Sequence, residues 1–360
     1  MSHIETLIDS VRRPETLAEL STSTWEEFLQ LGRHHGISGR WYDQLDERHL
    51  LGDIAEPVVN NIWSDRLLAL ENERRIRWEA NRVQHAFFGL DLDVILLKGG
   101  AYIAQDLSAG NKRLTSDLDI LIPAGRLSDA ESALQQHGWN TKVGDDYDDH
   151  YYRAWMHELP PMQHNVRGSW LDVHHNLLPL TSRRCIDASA LISGSVQSKL
   201  SGFSVLCNPD MLIHSILHGF YGGEFLNAFR DVLDIHELIS DFDGDNPQFW
   251  TDFLARVDEF NIGRPVYYAL RYVAHYFNTK IPVAVTDALS NSEPGIFSRA
   301  VMDFSVQSMV MSGPLSTKRK TFAAKILQAR SHWLKMPPLM LTKHLSHKYL
   351  KNREINTAEA

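Results

Sequence analysis

Asp117-Leu118-Asp119-Ile120-Leu121-Ile122-Pro123 reads as a short β-strand stopped by proline. Side chains along a strand alternate between its two faces. Asp117 and Asp119 therefore share one face, and Leu118, Ile120 and Ile122 turn the other way into a core. Two carboxylates side by side on an otherwise apolar strand are costly unless something neutralises them. A divalent cation does so, and magnesium takes hard oxygen ligands from one or two carboxylates plus substrate phosphates. The plain alternative is a strand end with two solvated or capping acids, because Asp-x-Asp is common by chance.

The segments on either side extend the pattern. Upstream, Asp93-Val94-Ile95-Leu96-Leu97 is an apolar run entering the turn Lys98-Gly99-Gly100, after which Ala101 to Asp106 reads as a short helix. Such a turn suits a phosphate, with Lys98 adding a point charge and glycine permitting close approach. It also fits an ordinary glycine turn, and it is not a P-loop, since GxxxxGK[ST] is absent. Arg113, four positions before Asp117, suits either a triphosphate or an ion pair with Asp117.

Downstream, Ser169 to His174 is another strand candidate on which Trp170, Asp172 and His174 share a face. Asp172 is the candidate third carboxylate, able to ligate an ion and orient an attacking hydroxyl; otherwise it is a surface acid on an edge strand. His174 either polarises Asp172 or touches substrate, unless it is simply a satisfied polar neighbour. His175 faces away. Between the two acidic strands, Ser128 to His137 reads as a helix closed by Gly138, Asp145 to Asp149 as an acidic loop, and Tyr151 to Met156 as a further strand.

Helical character surrounds this centre. Thr24-Trp25-Glu26-Glu27 resembles an N-cap with early acids, and residues 58–88 form one long helix candidate ending at Gly89. Beyond Pro209, the segments 211–220, 225–239, 249–260, 266–277, 297–309 and 323–334 keep helical spacing, and Pro337-Pro338 precedes a last short helix. The expected organisation is a helical region at 1–90, an α/β core at 91–207, a helical domain at 208–312 and a basic helical extension at 313–360.

The net charge is −9, unevenly spread. The stretch from Lys318 to Arg353 holds ten of the 36 basic residues and none of the 45 acidic ones. That is either a helical pair with a solvated basic face or a polyanion-binding surface. With two cysteines, Cys185 and Cys207, there is no disulfide framework and no zinc-finger spacing. No signal-peptide core and no run long enough for a membrane span occur, so a cytoplasmic location is expected.

Taken together, Leu96-Leu97-Lys98-Gly99, Arg113, Ser116 to Ile122 and Leu171-Asp172-Val173-His174 resemble the uncharacterised bacterial nucleotidyltransferase family of the DNA polymerase beta-like superfamily. That family's pattern is K-G, then R-x-x-x-D-x-D, then D-x-H. The similarity extends to Trp25 and His34-His35-Gly36, to Leu212 through His218 and to Arg230 through Ile235, and spans roughly residues 20 to 300. It implies an α+β fold, a small mixed sheet flanked by helices with a helical C-terminal domain. It also implies Asp117, Asp119 and Asp172 as Mg²⁺-binding catalytic carboxylates, an NTP co-substrate such as ATP, and Lys98, Gly99, Gly100, Arg113 and His174 around the nucleotide. The wider superfamily has a Gly-Ser pair at the phosphate turn; this chain has Lys98-Gly99-Gly100. The acceptor, whether small molecule, peptide or RNA, is open, as are the oligomeric state and the pairing of His218 with Asp234 across two helices. Two rival readings are a non-catalytic nucleotide- or RNA-binding protein on the same scaffold and a metallohydrolase using Asp172, His174 and His175.

Overall fold

Seven strands join in one mixed sheet in the computed structural model, which describes residues 3–142, 146–184, 186–222, 225–244, 246–313 and 317–347. They are β1 (Ile95–Leu96), β2 (Asp117–Leu121), β3 (Trp139–Thr141), β4 (Met162–His164), β5 (Trp170–His174), β6 (Val196–Gln197) and β7 (Ser204–Val205), in the order β3-β4-β5-β2-β1-β7-β6. β2 lies at the centre, antiparallel to β1 and parallel to β5. A parallel neighbour needs a long crossover. The chain between Leu121 and Trp170 supplies it with the helix Leu127–Gln136, β3, a second helix and β4. This is the expected α+β arrangement: a mixed sheet with helices before and after it.

That second helix, Asp146–Trp155, corrects two expectations, a loop at 145–149 and a strand at 151–156. Asp146, Asp148 and Asp149 occupy its first turn, where acids favour the positive end of a helix dipole. Arg153 Nε pairs with Asp149 at 2.9 Å one turn on. Asp145 itself lies outside the described residues.

The long helix is Glu56–Ala86, with Pro57 in its first turn and Gly89 (φ +85°) just past its end. It reaches the site directly. Asn72 Nδ2 donates to the Thr115 carbonyl at 3.0 Å and Asn72 Oδ1 accepts from the Thr115 amide at 2.8 Å, fixing the backbone two residues before Asp117. The helix Thr22–His34 begins three residues earlier than its acids suggested, capped by Ser21, whose Oγ accepts from the Thr24 amide at 3.2 Å. Its Trp25 and Phe28 bury against Trp41.

The C-terminal half is helical, with elements at Asn208–Leu217, Ala228–Asp243, Phe249–Glu259, Gly263–Phe277, Val283–Ala288, Ile296–Val310 and Lys318–Lys335. A π-helical turn, His218–Gly222, follows the first of these. Phe225 takes a left-handed φ of 53°, so the next helix starts at Ala228 rather than at 225. The basic helix Lys318–Lys335 buries a narrow stripe of Ala323, Leu327 and Ser331 and keeps Lys318, Arg319 and Lys325 outward. Residues beyond 347 of the basic stretch lie outside the described residues. Among the described residues, no helix is long and apolar enough to cross a membrane. One continuous apolar core runs from Ile4 through both sheet faces to Leu327.

Candidate active site

Register brings the acids together. β2 and β5 pair with Asp119 opposite Asp172 and Asp117 opposite Trp170. Laterally paired residues of adjoining strands present their side chains on the same face. Asp117, Asp119 and Asp172 therefore stand on one side of the sheet, while Leu118, Ile120, Leu171 and Val173 are buried in the other. β1 adds the cation. Leu96 pairs with Ile120, and the Leu97 amide donates to the Asp119 carbonyl at 3.0 Å. The chain then turns at Lys98, whose φ of 43° is unusual for a residue with a side chain. That turn carries Nζ to 2.7 Å from Asp119 Oδ1.

Gly99 is required by packing. A Cβ there would lie 2.7 Å from Thr115 Oγ1, 2.9 Å from Thr115 Cγ2 and 3.2 Å from Arg113 Nε. Gly100 sits behind it, where a Cβ would be 3.0 Å from a methyl of Leu118.

His174 donates from Nε2 to Asp119 Oδ1 at 3.0 Å, so both partners of Asp119 use the same oxygen. Glu158 lies beyond it, its Oε2 3.2 Å from His174 Nδ1. Burial alone would raise the Asp119 pKa. The Lys98 ammonium and the His174 hydrogen bond outweigh burial and hold it well below the usual carboxylate range. Asp172 behaves oppositely. Burial, then repulsion from Asp119, Glu158 and Asp117, pushes it up to about 7. Burial pulls the Lys98 ammonium down, but Asp119 and Asp117 more than compensate and raise it. Four carboxylates thus face one lysine and one histidine, an excess of negative charge suited to oxygen-ligated divalent cations.

A cavity of about 420 Å³ opens on Asp117 and Asp119. Asp117, Asp119, Lys98 and Gly99 line it together with Arg113, His218, Arg230 and Asp231 from farther along the chain, and His34 and His35 from the N-terminal helix. Gly100, Asp172 and His174 are not on its wall. Arg113 does not pair with Asp117. Its guanidinium is bound by Asp234 of the helix Ala228–Asp243 and lies 5.6 Å above the Tyr102 ring. Asp234 also faces Arg230 Nε at 3.1 Å, so it serves two arginines, not His218. His218 instead faces the site: the Lys98 ammonium, then burial, depress its pKa to about 3.

A family model described as an uncharacterised nucleotidyltransferase matches residues 21–278. The chain belongs to this nucleotidyltransferase family. No curated protein and no solved structure gives a match. The matched span of this nucleotidyltransferase contains all three acids and every residue on the cavity wall, and ends before the basic helix Lys318–Lys335.

Sequence reasoning missed Asp231, His157 and Glu158. Asp231 borders the cavity, and burial with the neighbouring Asp234 raises its pKa to about 7. It falls at no strand period, and although the resemblance covers Arg230 to Ile235, only the tertiary fold shows that Asp231 reaches the cavity. His157 and Glu158 follow the helix Asp146–Trp155. A bridge pairing Glu158 with His174 adds them to the edge of β5, and nothing in local sequence announces that bridge.

Proposed function

We propose that this nucleotidyltransferase moves a nucleoside monophosphate from an NTP to a hydroxyl or phosphate acceptor and releases pyrophosphate. The observation that supports this most is the register of β2 on β5, which sets three carboxylates on one face beside a cavity lined by cations. The donor set fits magnesium, being all oxygen, clustered and short of positive charge. Asp117, Asp119 and Asp172 would hold it, and bound Mg²⁺ would supply charge neutralisation for the triphosphate and for the developing pyrophosphate.

The protein's own groups account for the remaining requirements. Lys98 places a single charge at the turn, where a phosphate oxygen can replace the Asp119 contact. Arg113 and Arg230 lend the cavity wall two guanidiniums whose positions Asp234 fixes. Gly99 borders the cavity, where the turn's backbone can meet a phosphate. Asp172, set back from the cavity wall, belongs on the acceptor side, where it orients the attacking oxygen. In the transfer, the acceptor oxygen bonds to the α-phosphorus and the bond from that phosphorus to the bridging oxygen breaks. The acceptor proton leaves to solvent or to a nearby carboxylate. His174 is a positioning residue, holding Asp119 from behind. The division into regions 1–90, 91–207, 208–312 and 313–360 and a cytoplasmic location belong to the same proposal.

The test uses four NTPs, each labelled at the α- or the γ-phosphorus, with Mg²⁺, cell extract and purified protein. The wild type is expected to incorporate α-label from at least one NTP, and an Asp117→Ala, Asp119→Ala double variant none. Incorporation of γ-label, or equal labelling by the variant, would overturn the proposal.

A further inference from the structure

One cluster beside the acids shares only His174 with the reaction above. His157, Glu158 and His174 each offer a ligand atom, and these atoms lie within 4.8 Å of one another. The fold builds the cluster deliberately. The Glu158–His174 bridge is flanked by the Leu159 amide donating to the Val173 carbonyl at 2.8 Å and the His175 amide donating to the His157 carbonyl at 2.8 Å. Two backbone bonds thus press residues 157–159 onto the end of β5.

The side chains are left with unmet donors and acceptors. Asp119 is ionised, and a carboxylate only accepts, so His174 Nε2 carries the hydrogen shared with it. Its Nδ1 then faces Glu158 Oε2 at 3.2 Å, but without the alignment of a hydrogen bond. His157 Nδ1 is fully enclosed and has no hydrogen-bond partner among the described residues. The two imidazole rings lie 5.3 Å apart, tilted by 39°. An imidazole whose far nitrogen donates to a carboxylate is the common second-sphere arrangement of a metal-bound histidine.

We propose that His157, Glu158 and His174 form a site for a divalent transition ion of the zinc class, separate from the magnesium site on the three aspartates. Two nitrogens and one carboxylate oxygen are the donor set that zinc selects and magnesium does not. Ligands bound tetrahedrally at about 2.1 Å stand about 3.4 Å apart, so a small rotation of the rings closes the set. The ion takes the lone pair of His174 Nδ1 and ties the 157–159 segment to Asp119 through the His174 ring. It thereby sets the orientation of Asp119 from behind. The proposal does not rest on nucleotidyl transfer, because the ion is read without nucleotide.

The test strips the full-length protein with a chelator, then titrates it with Zn²⁺ under equilibrium dialysis and, separately, with Co²⁺ followed by visible absorption. The wild type is expected to bind one Zn²⁺ that millimolar Mg²⁺ does not displace, and to give Co²⁺ absorption bands of a nitrogen-ligated, low-coordinate site. His157→Ala and Glu158→Gln should each weaken Zn²⁺ by roughly tenfold or more, while Asp117→Ala should bind it as the wild type does. Circular dichroism confirms that the variants fold, and the Co²⁺ spectrum of the wild type needs no variant. No stoichiometric Zn²⁺, an octahedral all-oxygen Co²⁺ spectrum, or unchanged affinity in both cluster variants would overturn the site. So would loss in Asp117→Ala alone, since that places the ion on the aspartates.

Discussion

Asp119 is held from two sides, by Lys98 at 2.7 Å and His174 at 3.0 Å, and its orientation follows from those contacts. Removing the ammonium leaves a buried carboxylate with fewer counter-charges and would deprive a nucleotide bound as proposed of the Lys98 charge. Lys98→Met is expected to lower kcat/KM for the NTP by on the order of 100-fold or more, the scale of a lost transition-state charge contact. Steady-state kinetics checks this, and a loss below about threefold would remove Lys98 from the site. Gly99→Ala should disturb the same place sterically, its Cβ meeting Thr115 at 2.7 Å. Overpacking of this kind costs about 1–3 kcal/mol, visible as a lower Tm together with weaker nucleotide binding. Asp172, at about 7, predicts that Mg²⁺ binding strengthens as pH rises through neutrality, because below its pKa a proton competes with the ion. Isothermal titration at pH 6 and pH 8 measures the difference. At this scale the shared face of the three aspartates was readable, because it follows a strand period. Asp117, Asp119 and Asp172 announce themselves by alternation. The partner of Arg113 does not, because Asp234 is 121 residues away on a helix that only the tertiary fold brings near.

The helix Ala228–Asp243 ties the helical half to the chain around the site. Asp234 on it serves both Arg113 and Arg230, and Glu237 on the same side pairs with Arg40 of the N-terminal region. Removing one member of a buried ionic cluster leaves the others uncompensated. Asp234→Ala is expected to cost about 3–5 kcal/mol, read as a fall in the denaturant midpoint with the slope unchanged. Substitution without such a fall would show that the arginines find other partners. Element type was legible in long periodic segments such as Glu56–Ala86, where apolar spacing continues over many turns. It failed at Asp146–Trp155, where aromatic residues favoured a strand reading and the acids that start the helix resembled a loop. The two-residue strands β6 and β7 carried too little pattern to be read; neighbouring chain defines them.

Across the whole molecule, buried histidines set the response to acid. Burial first, then His34 and Lys320, depress the His35 pKa to about 3, and burial with Arg12 depresses that of His236 to about 4. An unfolded histidine protonates near 6.5. Below that pH the unfolded chain takes protons that the folded chain refuses, so stability falls as pH drops from about 6.5 toward 4 and is fully present above 6.5. A His35→Gln, His236→Gln variant should show a shallower dependence of Tm on pH across that window, and an unchanged slope would contradict it. His35 lies against Phe229 at 4.6 Å, and both His34 and His35 line the cavity, so the end of the helix Thr22–His34 contributes to the site as well as to the core. The sequence indicated that this helix exists but not that it closes the cavity, since that depends on how three separate regions pack.

In the proposed function, Asp117, Asp119 and Asp172 jointly hold the ions that meet a triphosphate in the cavity beside Lys98. Crystals grown with Mn²⁺ and a non-hydrolysable NTP, measured at the manganese absorption edge, test it most directly. The expected result is anomalous density in contact with all three carboxylates and with the triphosphate, whose phosphates lie against Lys98. Manganese bound elsewhere, with the three aspartates making no metal contact while nucleotide is present, would contradict the account.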